Sequence, residues 1–157
     1  MADELSDQRE CPMVPELRYV CPLIQVFDMP TSLAFYRDVL GFEIVEAAPS
    51  PDRTKDDDFG WVWLHRDRAD VMLNTMYDPD AERPPSPDPA RVAAHDDTAL
   101  YFGCQDVDGL YEHLRSRGVA VSPPTVASYG MKQLCVKDPD GFTLCFQWAV
   151  DAATSAA

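Results

Sequence analysis

Five cysteines and three histidines are the side chains of this chain best suited to nucleophilic, acid–base or metal chemistry. The cysteines are odd in number and widely spaced, without a Cys-x-x-Cys pair, and they are Cys11, Cys21, Cys104, Cys135 and Cys145. Zinc knuckles and dithiol redox motifs need that short spacing, and a disulfide framework needs an even count in a secreted context. The cysteines therefore indicate reduced thiols in a cytoplasmic protein.

The histidines do not form a complete catalytic arrangement in the sequence. His65 ends a predicted strand beside the turn 66–69, so it could act as a general base at the rim of a site. His95 lies in a proline-rich segment and His113 on the polar side of a predicted helix, so both are predicted at the surface. A nucleophilic Cys21 or Cys145 would need a neighbouring cation or histidine to lower its pKa, and the sequence indicates none.

The elements that must position these residues are clearest near the end of the chain, in residues 129–148. Two strand-like runs flank the turn Asp138-Pro139-Asp140-Gly141, where proline presets φ and glycine accepts a positive φ. The second run alternates, with an apolar row on one face (Phe142, Leu144, Phe146, Trp148) and a small polar row on the other (Thr143, Cys145, Gln147). Alternation with period two predicts a half-buried strand whose polar side suits a cavity wall.

The first half of the chain is predicted to form a strand, then a helix and then three further strands. The strand covers 18–27, with Pro22 indicating an edge or a bulge. Asp28 begins a helix with an apolar stripe that Gly41 closes, since aspartate caps free N–H groups and glycine accepts the C′ conformation. Strands follow at 42–47, 59–65 and 70–77.

The second half repeats this order after a proline-rich connector. A strand covers 99–104, a helix runs from Asp106 to Gly118, and strands follow at 119–121 and in the hairpin. A repeated unit this short cannot bury its own sheet face, so the halves should pair. The predicted class is α+β, with a flexible N-terminal arm at 1–17, modules at 18–77 and 98–150, a connector at 78–97 and a tail at 151–157.

The repeated pattern resembles the vicinal oxygen chelate superfamily, which includes glyoxalase I, bleomycin- and fosfomycin-resistance proteins and type I extradiol dioxygenases. The matching stretches are Val26-x-Asp28, Ser32 through Phe42, Asp106-Val-Asp-Gly-Leu-Tyr111, and Asp138-Pro-Asp-Gly141. The resemblance covers about residues 18–148. It implies a glyoxalase-like fold, in which two βαβββ modules curl mixed sheets into a cup that homodimerisation usually completes.

The same resemblance bears on metal binding. Metal-dependent relatives carry His or Gln seven residues before each helix-starting aspartate, and Glu four residues after the turn glycine. Here those positions hold Cys21, Ala99 and Cys145, and the first module's counterpart falls near Met72 or Asn74. Two thiols, an alanine and at best an amide do not make a hard-donor site. We therefore predict no metal and no cofactor, and leave open whether Cys21 and Cys145 meet across a dimer to hold a soft ion.

With the apolar stripes assigned to the helix side, alternation predicts the residues that line the cup. These are Cys21, Gln25, Phe27, Trp61, Trp63, Met72, Asn74, Tyr101, Gln133, Cys145 and Gln147. Aromatic rings, thioethers and uncharged amides suit a small, partly aromatic ligand. The alternative is that these side chains only fill the space between two sheets.

Composition limits the partners. A formal charge of −14 with a pI near 4.3 argues against nucleic-acid binding. Without an apolar run near 18 residues or a signal-like start, neither membrane insertion nor secretion is expected.

We therefore expect a cytoplasmic, homodimeric, metal-free protein that binds a small molecule. Two alternatives stay open. One is a lyase, isomerase or dioxygenase with an atypical metal or cysteine-based site, and the other is a structural or regulatory dimer. The sequence leaves the ligand and module exchange between chains undetermined.

Overall fold

The structure, a computed structural model, describes residues 15–50, 57–77 and 82–150. The predicted tail 151–157, most of the predicted arm 1–17 and the start of the predicted connector lie outside the described residues.

The first module contains one short helix and a four-stranded sheet. Its elements are β1 (Leu23–Val26), α1 (Met29–Leu33), which continues as π-helical turns over Ala34–Val39, β2 (Glu43–Pro49), β3 (Phe59–Arg66) and β4 (Ala69–Thr75). The strand order is β1-β4-β3-β2, with β1 parallel to β4 and the other pairs antiparallel. The sheet is mixed because the helix is a crossover connection after β1, which lets β1 pair in parallel with β4, whereas the last three strands form an antiparallel meander.

The second module repeats that arrangement. A short helix α2 (Pro89–Ala94) and a 3-10 turn (His95–Asp97) lead into β5 (Ala99–Gly103), α3 (Val107–Ser116), β6 (Thr125–Val126), β7 (Met131–Lys137) and β8 (Thr143–Ala149). The order is β5-β8-β7-β6, again with the first strand parallel to the last. The predicted α+β class with two βαβββ modules and curled mixed sheets is confirmed.

The helix ends follow from the residues that the sequence places there. The Asp28 carboxylate accepts from the Thr31 N–H at 3.1 Å, and Asp106 accepts from the Gly109 N–H at 2.8 Å. Each bond satisfies an N–H group that has no partner inside the helix. Gly41 and Gly118 follow the two helices with φ of 75° and 76°, a conformation that glycine adopts without steric cost.

Three local predictions are wrong. The first strand begins at Leu23 instead of residue 18. The segment 119–121 is not a strand, because the Val119 N–H donates to the Leu114 carbonyl at 3.0 Å and so completes the end of α3. The pairing strand is instead β6, opposite Lys132 and Gln133. Trp148, predicted to be buried, is 44% exposed near the end of β8.

The two modules share one hydrophobic core on the helix side of both sheets. Alternate residues of β3 and β4 are fully buried, including Val62, Leu64, Val71 and Leu73. Between the modules, the Phe42 ring meets the Phe102 ring edge to face, with 6.2 Å between centroids. The sides of the sheets that face away from the helices are consequently free of this core.

The turn Asp138–Gly141 of the second module is also the polar contact between the modules. The Tyr36 hydroxyl donates to Asp138 Oδ2 at 2.9 Å, and the Phe27 N–H donates to Asp140 Oδ1 at 2.8 Å. Arg91 donates to the same Asp140 oxygen at 3.0 Å. Asp138 and Asp140 are 5% and 2% exposed, so these bonds replace water that burial removed.

Burial also perturbs the ionisation of this contact. It raises the pKa of Asp138, while hydrogen bonds from the Phe142 N–H and the Tyr36 hydroxyl act in the opposite direction. Burial and the neighbouring Asp138 raise the pKa of the Tyr36 phenol well above its ordinary value. Tyr36 therefore stays a donor.

Replacement of Asp140 by asparagine should destabilise the protein. Asp140→Asn leaves Arg91, whose side chain is 17% exposed, without its charge partner, and breaking such a buried pair costs about 3–5 kcal/mol. Urea unfolding followed by circular dichroism measures the loss. Asp108→Asn is the matched control, because Asp108 pairs with Lys132 at the surface and is 65% exposed. Equal stability of the two variants would contradict the assigned role of the turn.

Candidate functional site

The side of the first sheet that faces away from α1 carries aromatic, thioether and amide groups in register. Met72 lies between Leu23 and Trp63 across the three strands, and Asn74 lies between Gln25 and Trp61. With Cys21, these residues form what we call the first face. The Asn74 amide donates to Gln25 Oε1 at 3.3 Å, which orients both amides. Their remaining donors and acceptors can bind a ligand.

The corresponding side of the second sheet has a similar character. Cys145 lies between Tyr101 and Cys135, and Gln147 lies between Gly103 and Gln133. The Gln133 amide donates to Gln147 Oε1 at 2.7 Å and to the Tyr129 hydroxyl at 2.9 Å. The second face consists of Tyr101, Tyr129, Gln133, Cys135, Cys145 and Gln147.

Charged groups on these sides of the sheets lie at their margins. Glu46 is on the edge strand β2 opposite Trp63, and Lys137 ends β7 with Asp96 and Thr143 as its partners. His65 and Asp70 stand opposite each other beside the β3–β4 turn. The centres of both faces are therefore uncharged, as alternation predicted.

The margin of the first face contains a hydrogen-bonded group that the sequence did not reveal. Asp70 Oδ1 accepts from Trp63 Nε1 at 2.9 Å and lies 3.0 Å from His65 Nδ1. The hydrogen bond with His65 is the largest cause that lowers the pKa of the Asp70 carboxyl, and the bond from Trp63 is the next. A carboxylate that holds one imidazole nitrogen directs the other nitrogen away, which is the arrangement of a general base and its orienting partner. His65 is at the rim, as predicted.

Both faces are open in a single chain. Leu23 is 51% exposed and Tyr101 is 60% exposed, and Tyr19 covers only part of the first face by stacking on Trp63 with 6.5 Å between ring centroids. A cleft of about 540 Å³ lies elsewhere, at the junction of the modules, and is lined by Phe27, Asp28, Ser32, Arg83, Pro85 and Asp140. Each sheet thus presents one face that the described residues leave largely uncovered.

Two predicted site residues are placed differently from the others. Phe27 lies beyond the end of β1, where its ring meets Tyr77 edge to face at 5.8 Å and the Arg83 guanidinium at 5.6 Å. It therefore belongs to the junction cleft. Cys145 is on the second face but only 1% exposed.

The two histidines predicted at the surface make defined contacts. The His95 ring stacks on Phe142 with 3.9 Å between centroids, and its Nδ1 lies 2.6 Å from the Asp140 carbonyl oxygen. His95 is half-buried, so its prediction as a surface residue is wrong. The exposed His113 places Nε2 2.7 Å from the Val39 carbonyl oxygen and so connects the modules.

The strand register shows which residues of the two modules correspond to each other. Leu23 and Tyr101 each lie five residues before a helix-capping aspartate, and their strand partners are Met72 and Cys145. In this internal repeat, Met72 of the first module corresponds to Cys145 of the second. Within 15–50, 57–77 and 82–150, no group of three or more His, Cys, Asp or Glu side chains could hold a metal ion. The predicted ligand positions Cys21, Ala99 and Cys145 offer two thiols and an alanine, which do not fit a hard divalent cation.

Sequence reasoning missed three residues of this region: Cys135, Tyr129 and Asp70. Cys135 was available from alternation, because it stands two residues after Gln133 on the same strand. Asp70 can be recognised only from the pairing of β3 with β4 across their turn, which places it opposite His65. Tyr129 precedes β7, so no periodicity pointed to it.

The fold and the site define a class of protein: a paired-module α+β protein with two open, centrally uncharged sheet faces. A family model described as the Glyoxalase/Bleomycin resistance protein/Dioxygenase superfamily matches residues 18–146. The chain belongs to this superfamily, as the sequence motifs predicted.

Solved structures with the same fold include proteins named for antibiotics. A bleomycin resistance determinant encoded on the transposon Tn5 is 20% identical, with TM-score 0.60 and coverage of 85% of this chain and 98% of that one. TnmS3, an antibiotic binding protein from Streptomyces sp. CB03234, is 22% identical, with TM-score 0.60 and coverage of 87% and 100%. A glyoxalase/bleomycin resistance protein/dioxygenase from Nocardioides is 16% identical, with TM-score 0.62 and coverage of 90% and 89%. At these identities the likeness concerns the fold.

A comparison with curated proteins gave no match. Among the helices of the described residues, none is long and apolar enough to cross a membrane.

Asp70→Asn should lower stability in a pH-dependent way. Because the folded-state pKa of Asp70 is depressed, its ionised form stabilises the fold above the ordinary carboxyl pKa of about 3.9, and this contribution is lost as pH falls. We expect a deficit of about 1 kcal/mol at pH 6 that disappears by about pH 2. Urea unfolding across this range, with Asp67→Asn as an exposed control, measures it. A deficit independent of pH would mean that the charge of Asp70 contributes nothing.

Proposed function

We propose that this protein binds a small, flat, partly aromatic molecule against its sheet faces, without a resident metal or cofactor. The observation that carries the proposal is the alignment of uncharged aromatic, thioether and amide side chains on the sides of both sheets that face away from the core. Ligand sites are typically apolar walls with a few well-placed polar groups, and both faces have this composition.

The first face supplies contact area as well as orientation. Trp61 and Trp63 offer large rigid rings, and Met72 between the strands adapts to ligand shape through its flexible thioether. The hydrogen-bonded pair Gln25 and Asn74 lies in the adjacent row and can fix a polar edge of the ligand. A planar ligand would thus stack on the rings with its heteroatoms towards the amides.

A second copy of the chain is expected to complete the site. Each face is a single open wall, and residues such as Leu23 and Tyr101 are at least half exposed on it. Apposition of the face of another copy would bury these groups and enclose the ligand on both sides. We therefore propose a homodimer of two-module chains, with modules at 18–77 and 98–150 joined by the connector 78–97.

The named relatives suggest which compounds to test first. Two proteins of the same fold are described as a bleomycin resistance determinant and an antibiotic binding protein. Antibiotic binding is accordingly one version of the proposal, and aromatic metabolites are another. We further propose that the protein is cytoplasmic, in keeping with free thiols at Cys21, Cys104, Cys135 and Cys145.

Trp61→Ala should weaken ligand binding. Loss of a stacked ring removes buried area and an aromatic contact of about 0.5–1.5 kcal/mol beyond it. Since about 1.4 kcal/mol corresponds to a tenfold change, we expect the dissociation constant to rise roughly tenfold or more. A thermal-shift screen of aromatic metabolites and glycopeptide antibiotics finds the compound, and calorimetry gives its affinity.

Trp148→Ala is the matched control, because Trp148 is an exposed tryptophan on β8 of the second module and so lies outside the first face. Equal loss of affinity in the two variants would overturn the assignment of the first face as the binding surface. A screen in which no compound raises the melting temperature would count against the binding function itself.

A second candidate function is acid–base catalysis of the lyase or isomerase kind, which the contact between His65 and Asp70 favours. His65 would move a proton at its outward nitrogen while Asp70 holds the ring. This candidate predicts turnover of a substrate such as the methylglyoxal–glutathione adduct, and loss of that turnover in His65→Gln with binding preserved. Stoichiometric nickel, zinc, manganese or iron in protein purified without a chelating tag would contradict the metal-free proposal.

A further inference from the structure

Cys135 and Cys145 stand directly opposite each other on neighbouring antiparallel strands of the second face. The backbone hydrogen bonds at both ends of the two strands show whether this is a hydrogen-bonded or a non-hydrogen-bonded pair. The Val150 N–H donates to the Gly130 carbonyl at 3.0 Å, and the Asp138 N–H donates to the Phe142 carbonyl at 3.0 Å. Hydrogen-bonded and non-hydrogen-bonded residue pairs alternate along an antiparallel ladder. Counting from these two hydrogen-bonded pairs, Cys135 and Cys145 form a non-hydrogen-bonded pair, in which the side chains lie close together.

That geometry brings the two sulfurs within bonding reach. Cα atoms in such a pair lie about 4.5 Å apart, and disulfides span about 4.4–6.8 Å between Cα atoms. Because the separation falls within this range, a disulfide can form here without a change in strand register.

The two thiols differ in access. Cys135 is exposed, whereas Cys145 is 1% exposed. Burial is the main cause that raises the pKa of Cys145 to about 12, and the hydrogen bond with Cys135 and the charge of Cys135 add to it. An incoming reagent therefore meets the Cys135 sulfur first, and Cys145 is held behind it as the resolving thiol.

We propose that Cys135 and Cys145 are a redox-active dithiol that a small disulfide, such as oxidised glutathione, converts to a reversible cross-strand disulfide. Neither the superfamily assignment nor the proposed ligand binding is needed for this inference, because it rests on strand register, burial and thiol contact.

The reaction balances in two exchange steps. The Cys135 sulfur, after losing its proton, attacks one sulfur of oxidised glutathione, forming a mixed disulfide and releasing one glutathione. The Cys145 sulfur, after losing its proton, then attacks the Cys135 sulfur, forming the protein disulfide and releasing the second glutathione. In total the protein loses two protons and two electrons, and oxidised glutathione takes up both to become two thiols.

The other described cysteines have different surroundings. Cys21 belongs to the first module, where burial and the nearby Asp70 raise its pKa. Cys104 follows β5 and is half-buried, and burial is again the main cause of its raised pKa. Neither of them has a cysteine as its strand partner in the described pairings, so the reaction should be specific to Cys135 and Cys145.

The test treats the reduced full-length protein with oxidised glutathione, blocks remaining thiols and digests with trypsin. Cleavage after Lys132 and Lys137 places Cys135 in peptide 133–137 and Cys145 in the peptide that starts at Asp138. We expect these two peptides to be joined, with the loss of two hydrogen masses, and to separate on mild reduction. Persistence of glutathione on Cys135 without the cross-link would overturn the proposal, as would a cross-link that joins other cysteines.

Variants separate the roles of the two thiols. Cys145→Ser should stop at the mixed disulfide on Cys135, and Cys135→Ser should lose the cross-link. Cys104→Ser is the control and should form the cross-link as the unaltered chain does. Should a variant fail to fold, titration of the unaltered protein with phenylarsine oxide tests the dithiol independently. One equivalent should bridge peptide 133–137 to the peptide that starts at Asp138, and binding at any other pair of cysteines would contradict the proposal.

Discussion

The contact on which the rest of this structure depends is the burial of Asp138 and Asp140 between the modules. Their carboxylates lie in the turn of the last hairpin, yet they accept hydrogen bonds from Tyr36, Phe27 and Arg91 in earlier parts of the chain. Buried carboxylates without such partners would cost several kcal/mol, so the turn can be buried only in this docked arrangement. The turn therefore fixes how the two sheets sit on their common core.

That arrangement determines which side of each sheet is left uncovered. The shared core takes up the apolar row of each sheet, so the opposite faces have no partner within the described chain. What remains there is unusual for exposed strands: tryptophans, methionine and amides in the centre, with Glu46, Asp70 and Lys137 confined to the margins. A solvated sheet face would more often carry charge throughout. This composition supports the proposal that the two faces are walls of a site that a second copy closes.

Much of this architecture could be read from the sequence, because its signals are local. Asp28 and Asp106 begin helices by capping, Gly41 and Gly118 end them, and period-two alternation separates the core row from the outer row. Alternation also placed most first-face residues correctly. The end of α3 was predicted wrongly because Val119 has strand propensity, whereas its N–H donates a hydrogen bond to a carbonyl of the helix. The partners of Asp138, Asp140, Asp70 and Cys145 could not be predicted, since each depends on pairing between segments distant in sequence or joined by a turn of unknown register.

The most direct test of the central claim, that ligand binds on the sheet faces, is a titration followed by methyl resonances of methionine. Met72 lies in the centre of the first face and Met29 in the shared core at 2% exposed, so the two report on binding and on global change respectively. With a compound that raises the melting temperature, binding at the first face predicts a progressive, saturating shift of the Met72 methyl signal while the Met29 signal stays in place. Saturable binding that leaves Met72 unmoved and shifts Met29 instead would contradict it.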